Sequence, residues 1–197
     1  ELEQDVVNQQ DQVVGLASPT ALALSPDGAF AYVTSEALDS VLVFRRNAAN
    51  GHLAPVSRYS VNEAGFAEAG LVAPLDVVVS PDGRHVYVAA SEDDAVVVMA
   101  RNASTGALTF VENQDDTGAA GANLDGVRRL QISADGNHLY AAGSNANALV
   151  TFARDAGTGA LTFLEAEITA ADDPNDAGGV VEAMIRPAGI ALSADGT

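Results

Sequence analysis

An all-β chain of four-stranded antiparallel blades, the architecture of a β-propeller, is what these 197 residues predict. The tetrad Ser25-Pro26-Asp27-Gly28 returns as Ser80-Pro81-Asp82-Gly83, Ser133-Ala134-Asp135-Gly136 and Ser193-Ala194-Asp195-Gly196, at offsets of 55, 53 and 60 residues. Self-similarity at that period marks an array of repeated units. Between the tetrads, short apolar runs alternate with turn residues. Only Val180 to Met184 hints at a helical period, and it is too short to carry one.

The second unit displays the elements in order, with strands predicted at 74–79, 85–90, 95–101 and 107–112. Its first strand carries Val77-Val78-Val79, a continuous apolar run suited to a strand covered on both faces, as inner propeller strands are. Pro-Asp-Gly then turns the chain: Pro presets φ, Asp bonds neighbouring backbone and Gly accepts positive φ. The second strands carry Tyr32, Tyr87 and Tyr140, each seven residues after a tetrad serine. The third strands are the apolar runs Val41 to Arg46, Val96 to Arg101 and Leu149 to Arg154. Turns at 47–51, 102–106 and 155–159 each end in Gly, and fourth strands such as Leu108-Thr109-Phe110-Val111 and Leu161-Thr162-Phe163-Leu164 follow.

These phases divide the chain into 1–18 (the end of a preceding blade and its linker), blades at 19–73, 74–126 and 127–186, and 187–197 (the start of another blade). That is about three and a half blades. Since the smallest propellers have about four, the expectation is a part of a ring whose open strand edges need covering. A longer propeller polypeptide is the favoured way to cover them. Self-association of two half-rings, giving about seven blades, is the other.

Three stretches in combination carry a family resemblance: Ser-Pro-Asp-Gly-X-X-X-Tyr-Val from Ser25 and Ser80, Val-X-Val-Phe/Met-X-Arg-Asn from Val41 and Val96, and Thr-Gly-Ala-Leu-Thr-Phe from Thr105 and Thr158. The pattern resembles the lactonase-type, 6-phosphogluconolactonase-like β-propeller repeat, and covers essentially the whole chain. It also looks like the near-identical tandem repeats of large bacterial secreted or surface proteins. The resemblance implies a seven-bladed ring and, for the lactonase members, chemistry by polar and charged residues at the central channel. The recurring residues are turn and strand residues, so no catalytic role transfers with them.

Composition narrows the function. Nine basic residues, all Arg, stand against 27 acidic ones for a net charge of −18. Such a surface repels phosphate backbones and anionic lipid, which disfavours nucleic acid and membrane surfaces as partners. No apolar run approaches the roughly 18 residues of a membrane helix. With no Cys, disulfides and thiolate zinc sites are excluded.

Much of the acid falls in interblade and second-to-third-strand segments: Glu36 and Asp39; Glu92, Asp93 and Asp94; Asp115, Asp116 and Asp125. The densest loop, Asp172-Asp173-Pro174-Asn175-Asp176, could offer calcium the oxygens of Asp172, Asp173, Asn175 and Asp176, although it lacks the alternating ligand spacing of a calcium loop. A solvated acidic loop is the plainer reading, and no other cofactor is expected. His85 and His138 share one phase of successive units, which points to a repeat-surface role rather than a metal site. Arg46, Arg101 and Arg154 also recur in phase, which favours pairing with nearby Asp over anion binding.

Arg128, Arg129 and Arg186 do not recur in phase. They lie at or just before first strands, near Asp125 and Glu182, a mix suited to holding a lactone carbonyl and activating water. The main functional expectation is nonetheless a binding or scaffold module of an exported bacterial protein, extracellular, at the cell surface or periplasmic, with a protein or small-molecule ligand on its acidic loops. A lactonase-like hydrolase opening a sugar lactone at the channel, in a cytoplasmic setting, is the alternative.

Overall fold

The computed structural model describes residues 16–62, 65–67, 69–168 and 185–193. Twelve strands in chain order make three four-stranded antiparallel sheets. Blade 1 holds β1 (Pro19–Leu24), β2 (Phe30–Ser35), β3 (Ser40–Arg46) and β4 (Leu53–Ser60). Blade 2 holds β5 (Pro74–Val79), β6 (His85–Ala90), β7 (Ala95–Arg101) and β8 (Leu108–Gln114). Blade 3 holds β9 (Val127–Ile132), β10 (His138–Gly143), β11 (Ala148–Arg154) and β12 (Leu161–Ile168). In each sheet the strands pair in sequence order, and β5 packs against both β1 and β9. Pro187 to Ser193, expected to open a further first strand, forms no ladder; no second strand follows among the described residues to pair with it.

The tetrad builds a turn with a division of labour. Ser80 Oγ accepts the His85 amide at 3.0 Å and donates to Asp82 Oδ1 at 2.6 Å, which also accepts the Arg84 amide at 3.0 Å. Ser25–Asp27 and Ser133–Asp135 repeat the pattern. The second oxygen of Asp135 accepts Asn137 Nδ2 at 2.9 Å. Asp27 and Asp82 instead spend one oxygen on their own turn and keep the other for a partner outside it.

That second oxygen holds the next blade. Arg101, at the end of β7, donates from Nε to Tyr32 Oη (2.7 Å), from one terminal nitrogen to the Gly83 carbonyl (2.8 Å), and from the other to Asp27 Oδ2 (2.8 Å). Arg154 does the same one joint further on, with Tyr87 (2.7 Å), the Gly136 carbonyl (2.9 Å) and Asp82 Oδ2 (2.7 Å). The tyrosines complete the staple by donating to the Gly106 and Gly159 carbonyls of the following blade. The arginines thus pair with Asp, as the phase suggests, but with the Asp of the preceding unit.

Apolar packing fills the same joints. Phe30, Tyr32, Val41 and Val43 of blade 1 meet Val86, Val88, Val97 and Met99 of blade 2. Tyr87, Ala89, Val96 and Val98 then meet Leu139, Ala141, Val150 and Phe152 of blade 3. Strands β3 and β7 are consequently buried on both faces along most of their length, and their apolar runs need not alternate.

His85 corrects an expectation. Its phase suggested a surface, yet it is 3% exposed, with Nδ1 2.9 Å from an Arg154 terminal nitrogen. It occupies the slot that Phe30 fills one joint earlier, where the Arg101 guanidinium lies 5.5 Å from the ring centre. The facing glycines explain the slot. A Cβ on Gly106 would come within 2.4 Å of Phe30, and one on Gly159 within 2.3 Å of His85.

Candidate functional site

The first strands form the inner edge of the three sheets, and each carries an irregularity at the same phase. In β9 the pairing with β10 shifts between Arg129 and Val127, which leaves Arg128 out of the ladder. In β5 the shift falls between Pro74 and Asp76, at Leu75; in β1 it falls between Pro19 and Leu22. A bulge bends a strand and re-aims its side chains, which is why bulges gather at functional sites. Here it places Asp76 beside one bulge and Arg128 and Arg129 at the next.

Asp76 is the inner-strand residue that sequence reading missed. It shares a phase with Arg129, and Ala21 is its counterpart in blade 1. Its Oδ1 accepts the Val77 amide and its Oδ2 the Leu130 amide of the neighbouring blade, each at 2.9 Å. Burial pushes the carboxyl above the ordinary Asp range; the two amides and the positive charge of Arg129 pull the other way without cancelling it. The signal was present as a lone acid ahead of an apolar run, Leu75-Asp76-Val77-Val78-Val79. Reading that run as buried strand hid it.

Arg128 and Arg129 are both half-buried, and one terminal nitrogen of Arg129 donates to the Arg128 carbonyl at 2.7 Å. Their side chains carry the only guanidinium groups on the three described first strands. Asp76 and this pair together offer a partly desolvated carboxylate and positive charge on adjacent strands. That is the equipment needed to activate water and to stabilise an oxyanion.

The other candidates fall elsewhere. Arg186 is exposed, and its amide donates to Asn147 Oδ1 at 2.8 Å. It belongs to a recurring strand entry: Ser18, Ala73, Gly126 and Arg186 stand at one phase with φ of 48°, 50°, 64° and 51°. Their acceptors recur too, since the Ala73 amide donates to Asp39 Oδ1 (2.8 Å) and the Gly126 amide to Asp94 Oδ1 (2.7 Å). Arg186 is therefore in phase after all, through its backbone. Asp125 holds its own loop, with Oδ1 accepting Asn145 Nδ2 at 3.0 Å.

Glu182 and the loop acids Asp172, Asp173, Asn175 and Asp176 lie outside the described residues. Of the other acids, Asp39 and Asp94 clasp the next blade's entry, while Asp93 accepts the Val72 amide at 2.6 Å at the entry of its own blade. Among the described residues no three His, Asp or Glu side chains cluster as metal ligands. No helix among the described residues is long and apolar enough to cross a membrane.

Comparison with known proteins agrees with this architecture. Residues 5–175 match the family described as Lactonase, 7-bladed beta-propeller. The 6-phosphogluconolactonase of Bacillus subtilis (strain 168) is 28% identical over 153 residues, covering 78% of this chain and 42% of the relative. That of Pectobacterium carotovorum subsp. carotovorum (strain PC1) is 30% identical over 119 residues, covering 60% of this chain and 35% of the relative. The solved periplasmic gluconolactonase of Pseudomonas aeruginosa superposes with a TM-score of 0.61 at 29% identity, covering 75% of this chain and 39% of that one. The chain spans about two fifths of the length of the relatives it matches.

These matches overturn the expectation of a binding or scaffold module: the proteins similar along most of the chain are lactonases by name, which favours the hydrolase instead. The repeat, its stapled blades and the match over residues 5–175 place this chain in the seven-bladed β-propeller lactonase family.

Proposed function

We propose that these blades form part of a lactone hydrolase that opens a sugar lactone at the inner strands, with Asp76 and the Arg128–Arg129 pair as its working groups. The observation that carries the reading is their placement on adjacent first strands at successive bulges, where burial holds Asp76 above its ordinary range. A carboxylate whose pKa is raised toward the working pH is a better proton acceptor than a solvated one.

In the reaction, water attacks the lactone carbonyl while Asp76 takes one of its protons. Guanidinium charge from Arg128 or Arg129 stabilises the tetrahedral oxyanion. Collapse of that intermediate breaks the ring C–O bond, and the departing alkoxide takes the proton back from Asp76. The product is the open hydroxy acid. Each Asp76 oxygen accepts one amide hydrogen bond and keeps a lone pair for this exchange. The ring-opening needs no redox partner. The named relatives include a periplasmic gluconolactonase, so the reading is compatible with an exported as well as a cytoplasmic protein.

The test is turnover of glucono-δ-lactone and its 6-phosphate above the spontaneous rate. Asp76→Asn is expected to lower kcat by about 10²- to 10⁴-fold, the usual contribution of a general base, with the fold retained. Arg128→Ala and Arg129→Ala together are expected to lower kcat/KM. Equal turnover by all variants would refute the assignment.

A further inference from the structure

We propose that the hydroxyl pair Thr20–Thr34 of blade 1 positions Asp76 of blade 2, by fixing the backbone that leads into its bulge. The inference rests on Asp76 acting as the base in lactone opening, and adds the residues that aim it.

The pair departs from the repeat. Thr20 stands five residues before its tetrad serine, at the phase of Leu75 and Arg128. Thr34 stands nine residues after that serine, at the phase of Ala89 and Ala142. All three residues at the second phase are fully buried, and two of them manage with a methyl group. A hydroxyl buried there costs free energy unless it is hydrogen-bonded.

Elimination fixes the hydrogens of the pair. The Pro74 carbonyl can only accept, so the single hydroxyl hydrogen of Thr20 goes to it, at 2.8 Å. The Thr20 and Thr34 oxygens lie 2.9 Å apart, and that contact then takes the Thr34 hydrogen. The other acceptor open to Thr34, the Ala21 carbonyl, is farther away at 3.4 Å. The Thr34 oxygen in turn accepts the Ala21 amide at 3.1 Å. A chain of hydrogen bonds thus runs from β1 through both hydroxyls into blade 2.

Its end point is the bulge. Pro74 is the last residue of β5 in register with β6 before the shift, and Asp76 is the first after it. The carbonyl held by Thr20 belongs to the peptide joining Pro74 to Leu75, one residue from Asp76. Fixing that peptide limits the rotations by which the bulge could re-aim the carboxyl. On its other side the carboxyl is tied to blade 3, where Oδ2 accepts the Leu130 amide. Asp76 is therefore strung between two blades, by backbone to one and by side chain to the other. At the next joint Leu75 replaces Thr20 and has no hydroxyl to offer Val127, the counterpart of Pro74.

Three variants test the role. Thr20→Val removes the hydroxyl at nearly constant shape, Thr20→Ser returns it, and Thr34→Ala installs the residue the other blades carry. Turnover of glucono-δ-lactone by intact Thr20→Val should fall about 10- to 100-fold in kcat, with KM changed by less than about twofold. Thr20→Ser should recover most of the rate, and Thr34→Ala should lose rate as Thr20→Val does. Added to Asp76→Asn, Thr20→Val should cost nothing further, because a positioning residue acts only through the group it aims. Titration of the Asp76 carboxyl by NMR reads the same role without turnover. Its pKa, held up by burial, should fall toward the ordinary Asp range in Thr20→Val as the loosened side chain hydrates. Circular dichroism melts confirm that the variants fold. An undiminished kcat in Thr20→Val, an additive loss in the double variant, no rescue by Ser, or an unmoved Asp76 titration would each overturn the positioning role. A rate lost in Asp76→Asn but kept in Thr20→Val would overturn that role alone, whereas full turnover in Asp76→Asn would overturn the base assignment beneath it.

Discussion

At the scale of single residues, the Ser-X-Asp-Gly tetrad was legible as a turn, but half of its purpose was not. Nothing in the spacing of Asp82 reveals that its second oxygen meets Arg154 of the next blade, because that distance is created only by packing two sheets. Phase was the usable clue: Asp, Tyr and Arg recur together, as members of one interaction must. Tyr87→Phe is the cleanest probe of it. Removing this hydroxyl strips an acceptor from Arg154 Nε and a donor from the Gly159 carbonyl, in a site with no solvent to replace them. We expect a loss of about 2 kcal/mol, or about 4–8 °C in Tm by calorimetry.

Asp82 adds a pH-dependent probe of the same joint. Burial raises its pKa, but the Ser80 hydroxyl, the Arg84 amide and Arg154 outweigh that and hold it at about 2. A carboxylate depressed by folding stabilises above its unfolded pKa, near 3.8, and loses that contribution as pH falls toward 2. Wild type should exceed Asp82→Asn in stability near neutrality by about 1 kcal/mol, a figure discounted for the partial exposure of Asp82. The gap should close between about pH 4 and pH 2 in acid-titrated melts. A gap that persists at pH 2 would mean that the charge is not what matters.

At the scale of elements, the strands were readable almost to the residue; in blade 2 only the fourth differs, running 108–114 instead of 107–112. Alternation and turn residues are local signals, and a four-strand meander uses only local pairing. The bulges were not readable, since a register shift depends on two strands at once, and with them went the importance of Asp76. Joint packing was equally hidden, so His85 looked superficial.

His85 makes a joint-level prediction. Arg has no acceptor, so Nδ1 must accept from Arg154 with its lone pair and the ring must be neutral. Burial, with help from the Arg154 charge, lowers the His85 pKa below 6.5, although Asp82 and Asp155 oppose the shift. A histidine depressed by folding stabilises above its unfolded pKa and loses that contribution as pH falls below 6.5. His85→Phe, copying Phe30, should therefore lose less Tm than wild type between pH 7 and pH 5. An identical slope would contradict the neutral-acceptor role.

At the scale of the whole molecule, repetition revealed the architecture before any single strand could, because in-phase recurrence over four tetrads has few other physical causes. Function was less legible for the same reason. Recurring residues build the scaffold, and the proposed chemistry rests on departures such as Asp76 and Arg129, which share a phase but not a residue type. Acidic composition pointed toward a binding face, yet Asp39 and Asp94 proved to be clasps between blades and Asp93 a clasp at the entry of its own.

The central claim is that Asp76 draws a proton from water during lactone opening, and the pH profile of turnover addresses it most directly. The rate should rise along an acid limb whose apparent pKa lies above that of an ordinary aspartate, and Asp76→Asn should abolish both the limb and most of the rate. Undiminished turnover with an unchanged profile in Asp76→Asn would contradict the account.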